Sequence, residues 1–278
     1  KLTHDSSTIG KFNKKFTRPI LIKFAHYKDR DLVWQMRGEL SQQNNQNVKI
    51  YEDIPKEMQD RRKILFPVLN AARKEVDERG IPIYKASISQ DRLYLNGEVI
   101  TTDTLHKLPK HLHPEQIFTP SRGNMVAFYT ANSPLSNHYP SPFELSGRRL
   151  SCTEQYVMYQ KAIMFGDTAT AEQIMKELNP GVQKGLGMKV ANFDRARWHA
   201  VHERIFVAGL RAKFSQNKHC AEVLLATGDK KLYEASPRDQ DYGVGVSLFS
   251  DKIWNEANHP GLNWMGNWLE MIRSDLSK

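Results

Sequence analysis

Glu154 and Lys161 lie seven positions apart in Ser151-Cys-Thr-Glu-Gln-Tyr-Val-Met-Tyr-Gln-Lys-Ala-Ile-Met-Phe165. At about 100° per residue, Glu154, Met158, Lys161 and Phe165 share one narrow stripe of a helix, with the two charges roughly 10 Å apart along its axis. An acid and an amine on a stripe with Met and Phe are costly to bury unpartnered. A cleft that receives a polar substrate would partner both. Two plainer accounts stand beside this one. Ser151 and Glu154 have the S-x-x-E spacing of a capping box, which alone accounts for the acid, and Lys161 can carry its head out to solvent.

Three further clusters carry chemistry. Glu234 and Asp239 flank a turn that runs into Tyr242-Gly-Val-Gly245, and two carboxylates beside a glycine-rich, aromatic-edged loop suit a substrate wall. Gly243 and Gly245 alone are weak support for a phosphate, since any turn uses such a pair. Trp198, early on a long helical stretch, either stacks on a base or fills the core. The loop Ser133–Phe143 offers hydroxyls, Asn137 and Tyr139 to a sugar or phosphate, and also has the composition of an ordinary surface loop.

The elements that must position these groups follow from pattern. In the second half, a strand-like segment opens at Phe128-Tyr129, and helices are expected over Ser151–Phe165, Thr168–Leu178, Arg195–Phe214, His219–Thr227 and Gly261–Leu276. Gly181–Val190 is short and glycine-broken, and Lys231–Ser236 reads as a short strand before a loop. In the first half, strands are expected over Arg18–Phe24 and Val48–Tyr51, and a helix over Lys28–Leu40. A second helix starts at Pro55 and runs to about Asp77, with a kink at Pro67. Ile81–Ser89 and Arg92–Ile100 read as two strands, the latter holding an Asn96-Gly97 turn signal, and Thr101–Ile117 as a linker.

Composition sets the bounds. The 278 residues are 40% hydrophobic and 26% charged, an ordinary globular balance that argues against wholesale disorder. The longest clean apolar run, Ile205–Leu210, is far too short to cross a bilayer, so no membrane partner is expected. The N-terminus lacks the apolar stretch of a secretory signal, and a start at Lys1 rather than Met is what a fragment would show. Two cysteines, Cys152 and Cys220, exclude a disulfide scaffold and a cysteine-rich zinc site. The expected setting is intracellular, cytoplasmic or nuclear, with no metal and no cofactor. Net charge is +9, of which +6 falls before Ser121, so a polyanionic partner is expected, either nucleic acid or a phosphorylated metabolite.

Taken together, Phe128-Tyr129, Pro134-Leu-Ser-Asn-His-Tyr-Pro140, Thr153-Glu-Gln-Tyr156 with Gln160-Lys-Ala162, Ala212-Lys-Phe214, Leu224-Leu-Ala-Thr-Gly228, Glu234-Ala-Ser-Pro-Arg-Asp239, Tyr242-Gly-Val-Gly245 and Asn263-Trp-Met-Gly266 resemble the NADAR family, named for NAD and ADP-ribose. The family includes N-glycosidases of early riboflavin-pathway intermediates and hydrolases that remove ADP-ribose from guanine. The resemblance covers about Asn124 to Leu276 and implies a mostly helical α+β domain. It implies hydrolysis of the N-glycosidic bond of a ribosyl phosphate or ADP-ribosyl adduct, with ADP-ribosyl-guanine in nucleic acid as one form. By the same resemblance, Glu154, Lys161, Trp198, Glu234 and Asp239 match the family's active-site positions. The catalytic candidates are then Glu154, Lys161, Asp239 and Glu234, and the substrate-binding candidates Trp198, Tyr242, Gly243, Gly245, Asn137 and Tyr129. Glu154 or Asp239 would stabilise charge at C1′ and Glu234 would protonate the leaving nitrogen. Lys161 would bind phosphate or attack an opened ribose, and Trp198 and Tyr242 would sandwich the ring. The family usually has Trp where this chain has Tyr242.

The stretch Arg18 to Ile100, through RPILIKF, HYKDRDLVW and IYEDIPKEMQDRRKILFPVLNAARK, resembles part of the nucleic-acid-binding first-reading-frame protein of LINE-type retrotransposons. That implies phosphate contacts by Arg61, Arg62, Lys63, Arg73 and Lys74 on one helix; the plainer account is a solvated outer face. The expected fold is therefore α+β: a mostly helical NADAR-type C-terminal domain preceded by a small α/β nucleic-acid-binding-like segment. The expected divisions are a flexible tail over 1–17, the retrotransposon-like region over 18–100, a linker over 101–123 and the NADAR-like domain over 124–278. The competing class is a non-catalytic ADP-ribose or nucleic-acid binding protein of retroelement origin.

Overall fold

The computed structural model describes residues 54–278, together with Leu32, Val33 and Gln35, which are helical as the pattern over Lys28–Leu40 predicts. The strands expected over Arg18–Phe24 and Val48–Tyr51 lie outside the described residues. The chain divides into two compact units, 1–60 and 61–278.

Helix α1, Lys56–Lys74, continues through Pro67 and buries Leu65, Val68, Leu69 and Ala72, one face at helical spacing. Those residues pack on a three-stranded antiparallel meander, β1 (Ala86–Ser89), β2 (Arg92–Leu95) and β3 (Glu98–Ile100). Two strands were expected here. Asn96 and Gly97, both at positive φ, instead fold the second one back as a hairpin, pairing Leu95 with Glu98. The expected linker is also structured: helical turns over Thr102–Lys107 and Lys110–Leu112 and a short helix, α2 (Pro114–Ile117), bury Leu108 and Leu112 in the same small core.

The larger part mixes sheet and helix. Strands β4 (Ser121–Arg122), β5 (Met125–Phe128) and β8 (Lys231–Glu234) form a sheet in the order β4-β5-β8. β5 and β8 run parallel, with Met125 opposite Lys231 and Phe128 opposite Glu234. Alternation sends Val126, Phe128 and Leu232 into a large core shared with the helices, and Ala127, Tyr233 and Ala235 into a second core on the other face. Glu234, two residues after Leu232, therefore points to the helical side at the carboxyl end of its strand. A hairpin, β6 (Phe143–Leu145) and β7 (Arg148–Leu150), precedes the helices and was not expected.

Helix α3 (Thr153–Met164) is the hub, packed on α4 (Thr168–Lys176), α5 (Pro180–Gly187) and α7 (His202–Gln216). The single long helix expected over Arg195–Phe214 is two, α6 (Arg195–His199) and α7, broken at Val201, whose φ of −133° is not helical. α8 (Lys218–Ala226) and α9 (Trp264–Leu276) complete the layer. Among the described residues, no helix is long and apolar enough to cross a membrane.

Candidate active site

At the carboxyl ends of β5 and β8, where ligands gather in open sheets that carry helices, lies a cavity of about 310 Å³. It draws together Asn137 and His138 from the loop after β5, Glu154, Met158 and Lys161 from α3, and Lys184 from α5. Trp198 and His199 come from α6, and Glu234, Asp239, Asp241 and Tyr242 from the end of β8 and its loop. Met188, Phe193, Arg195 and Phe206 complete the lining. A wider hollow of about 540 Å³, beside Arg122, Asp251 and Glu256, shares none of these residues.

The predicted stripe on α3 is present: Glu154, Met158 and Lys161 face the cavity, and Phe165 is buried below them. The capping box is not formed. The N-cap is Cys152, without a side-chain cap, and the Ser151 amide donates to Gln155 Oε1 at 2.7 Å. Gln155 Nε2 in turn donates to the carbonyls of Ile174, Met175 and Glu177, tying the end of α4 to the start of α3. The Glu154 side chain is thus free of structural duty at the helix start, and the residue is 4% exposed. One carboxylate oxygen lies 3.5 Å from His138 Nε2, and the other, Oε1, is buried without a hydrogen-bond partner.

Lys161 is half-buried, with Nζ 4.0 Å from the Phe193 ring centre and 5.8 Å from that of Trp198. Burial lowers its pKa, opposed by the Glu154 carboxylate. Lys184 shows the reverse balance: it is penalised by burial, yet Glu154, Asp239 and Glu234 together hold its pKa above the ordinary lysine value. It reaches the site because α5 lies tight on α3 through Gly187, where a Cβ would overlap the Met158 side chain.

The Glu234 carboxyl has its pKa pushed up to about 7 by burial and by the neighbouring Asp239 carboxylate, against Lys184 and His138. Asn263 fixes its backbone: Oδ1 accepts from the Glu234 amide at 3.1 Å while Nδ2 donates to the Leu232 carbonyl at 2.8 Å, standing in for a neighbouring strand. Asp239 is largely spent on its own loop. Its Oδ1 accepts from the amides of Asp241 and Tyr242, at 3.2 and 2.9 Å, and its Oδ2 lies 3.7 Å from Lys184 Nζ.

Trp198 is both buried and on the cavity wall. Its Nε1 donates to the Tyr242 hydroxyl at 3.2 Å, so the two rings form one continuous wall rather than the two jaws of a sandwich. Burial pushes the Tyr242 hydroxyl up to about 12, against the Trp198 hydrogen bond, and His202 Nδ1 lies 3.4 Å from the same oxygen. At the mouth, Met188 is 75% exposed and Phe193 44%, and Arg195 pairs with Asp241 at 3.3 Å.

The loop after β5 is not a surface loop. Ser133, Leu135, Ser136 and Asn137 are buried. Its carbonyls are met from within: Lys213, wholly buried, donates from Nζ to the Ser136 carbonyl at 2.8 Å, and Asn217 Nδ2 donates to that of Pro142 at 3.1 Å. Tyr139 turns away from the cavity and donates to Glu115 Oε1 at 2.7 Å.

Of the ten catalytic and substrate-binding candidates read from the sequence, Glu154, Lys161, Glu234, Asp239, Asn137, Trp198 and Tyr242 line one cavity. Tyr129, Gly243 and Gly245 are not among its lining residues. Tyr129 packs on the second core, and Gly243 abuts the strand end, where a Cβ would meet the Glu234 carbonyl oxygen at 2.8 Å. Sequence reasoning missed His138, Lys184, Met188, Phe193, Arg195, His199, Phe206 and Asp241. His138, between Asn137 and Tyr139, and Asp241, between Asp239 and Tyr242, had a local signal in their neighbours. Among the described residues, no group of three or more His, Cys, Asp or Glu side chains is arranged to hold a metal ion.

On α1, Arg61 pairs with Asp91 at 2.6 Å, Arg73 donates to the Ala86 carbonyl at 3.1 Å, and Arg62 lies 5.1 Å from the Phe66 ring centre. Lys63 and Lys74 are exposed.

Residues 127–277, more than half of the chain, match the NADAR domain. The chain is 36% identical over 167 residues to Protein irg-1 of Caenorhabditis elegans, spanning 54% of this chain and 79% of that protein. It is 38% identical over 122 residues to N-glycosidase R617 of Acanthamoeba polyphaga mimivirus, spanning 44% and 72%. It is also 30% identical over 157 residues to N-glycosidase YbiA of Escherichia coli, spanning 55% and 89%. The domain match begins after the stretch 18–100 and leaves that stretch unassigned. The extent of the match, and the identity to relatives covered over most of their length, establish that the chain belongs to the NADAR family.

Proposed function

We propose that the cavity hydrolyses the N-glycosidic C1′–N bond of a ribosyl phosphate or ADP-ribosyl adduct. The observation that carries this reading is the meeting of two acids in different surroundings in one cavity. Glu154 is buried with an unpartnered carboxylate oxygen, while Glu234 is poised to be protonated near neutrality. N-glycoside cleavage needs such a division of labour, because positive charge builds at C1′ as the base departs and the leaving nitrogen requires a proton. Relatives named N-glycosidases support the same reaction class.

In this scheme Glu154 stabilises the cationic sugar and takes a proton from the attacking water. The water oxygen bonds to C1′, the C1′–N bond breaks, and Glu234 delivers its proton to the nitrogen. Glu154 is preferred to Asp239 because both Asp239 oxygens are already engaged by its loop and by Lys184. Lys184, and Lys161 beside the aromatic mouth, suit a phosphate; the lowered pKa of Lys161 also suits an amine that attacks an opened ribose. Met188, Phe193 and Trp198 offer apolar surface to the base. Riboflavin-pathway ribosides and ADP-ribosyl-guanine both fit this chemistry, and a basic helix α1 near a nucleic-acid substrate would raise its local concentration.

The test is a panel of ribosylamino-pyrimidine phosphates and ADP-ribosylated guanine in mononucleotide and DNA form, read by mass spectrometry for the released base and sugar. Glu154→Gln should lower kcat about 10³-fold with a melting temperature close to the parent, because the residue holds no cap. Unchanged turnover in that variant would end the proposal. ADP-ribose bound by the parent protein without release of any base would mark a binding module instead.

A further inference from the structure

Two acceptor atoms in the cavity have nothing to accept from among the described residues. Asn137 Oδ1 and Glu154 Oε1 are both buried and both without a hydrogen-bond partner, on residues 8% and 4% exposed. Thr153 Oγ1 is likewise unpartnered, but Thr153 does not line the cavity. Asn137 and Glu154 are joined at the backbone, the Glu154 amide donating to the Asn137 carbonyl at 3.1 Å, so their side chains enter the cavity from adjacent points.

Neither group can easily turn to water. Asn137 sits on a buried loop whose preceding carbonyl, that of Ser136, is held by the Lys213 ammonium at 2.8 Å. Glu154 is in the first turn of the hub helix. Buried acceptors without partners are rare in folded proteins and ask for a donor that arrives with the ligand. Phosphate oxygens cannot serve, since they only accept. Adjacent sugar hydroxyls can, since each donates one O–H. The position favours the sugar over the base: if Glu154 acts at C1′, the substrate donors nearest this adjacent pair of acceptors are the hydroxyls of the next two carbons. The base has the apolar surface of Met188 and Phe193 at the mouth.

We infer that Asn137 and Glu154 together form a receptor for the vicinal hydroxyls of a ribose, so that the cavity takes ribosides and discriminates against 2′-deoxyribosides. This rests on the N-glycosidase reading above and extends it to the sugar. Asn137 is then a specificity-determining residue, its Oδ1 accepting from the 2′-hydroxyl while Glu154 Oε1 accepts from the neighbouring 3′-hydroxyl.

The inference is tested on binding, independently of turnover, by calorimetric titration of the protein with D-ribose 5-phosphate and with 2-deoxy-D-ribose 5-phosphate. The parent should bind the ribose form at least about 10-fold more tightly. Asn137→Ala should bring the two affinities to within about 3-fold of each other, chiefly by weakening the ribose form. Asn137→Ser, which keeps a short acceptor, should retain part of the preference and guards against a variant that merely fails to fold. Equal affinities in the parent, binding of neither sugar, or an Asn137→Ala variant that weakens both alike would overturn the inference. Selective sugar binding with no cleavage of any riboside would count against the reaction while supporting the receptor. Riboside cleavage with no preference at the 2′ position would sink the receptor alone.

Discussion

Helix α1 and the cavity are both rich in charge, and they use it in opposite ways. On α1, Arg61 and Arg73 are engaged by neighbours in the meander that follows, Arg62 covers Phe66, and Lys63 and Lys74 are exposed. In the cavity, Glu154 keeps an oxygen unpaired, Glu234 is pressed toward its neutral form, and Lys161 and Lys184 are shifted in opposite directions by the carboxylates around them. Screened, exposed charges interact weakly and cost little. Charges confined in a cavity change one another's protonation and stay uncompensated unless a ligand arrives. The number of charges thus points to a solvated surface as readily as to a site, whereas incomplete compensation under burial points to a site.

After Glu154→Gln, the largest effect that would break this contrast is at Glu234. Its carboxyl gives up its proton as pH rises through about 7. If it supplies the proton of the leaving nitrogen, kcat falls as pH rises through that value. Glu234→Gln should lower kcat about 10²-fold or more and flatten that falling limb. A pH–rate profile of the parent with no loss between pH 6 and 8 would remove Glu234 from the reaction.

Lys213 sharpens the comparison from inside the cavity's supporting loop. Wholly buried, and with no carboxylate partner among the described residues, its ammonium has a pKa lowered by burial to about 8, against 10.5 for an ordinary lysine. The folded state therefore binds fewer protons than the unfolded chain between those values, and stability rises with pH across that window. The gain is on the order of 3 kcal/mol for this group. Lys213→Met should lose that rise, as read by denaturant unfolding at pH 7.5 and pH 10.5. Identical pH slopes in parent and variant would show that the ammonium is not held at a burial cost.

The smallest effect is expected on α1. Arg61 is 44% exposed in its pair with Asp91, so Arg61→Ala should cost under about 1 kcal/mol in the same unfolding assay. A loss of several kcal/mol would make the helix surface as consequential as the cavity and erase the distinction.

Much of the site was legible because local rules carried it. The 3.6-residue period put Glu154 and Lys161 on one face, and the strand alternation and turn chemistry around Glu234-Ala-Ser-Pro-Arg-Asp239 marked a wall. Where local rules had competitors, they misled. A glutamate three residues after Ser151 looked like a cap, but the Ser151 amide is taken by Gln155, whose second duty is to hold the end of α4. A loop of Pro, Ser and Asn looked like a surface loop, but a buried lysine from α7 satisfies its backbone and lets it enter the core. Asn96-Gly97, placed inside a strand, instead ended it.

By itself, then, the order of residues determined which helix faces and strand ends bear acids, amines and aromatics, because those periodicities depend only on backbone geometry. Only the tertiary structure decided that Lys184 meets Asp239, that Trp198 and Tyr242 share one wall, and that Asn137 and Glu154 end as neighbouring acceptors without donors. Those relations join residues up to 55 positions apart, as Lys184 and Asp239 are. They are set by which surfaces pack, as where α5 closes on α3 at Gly187, and by the burial that packing imposes.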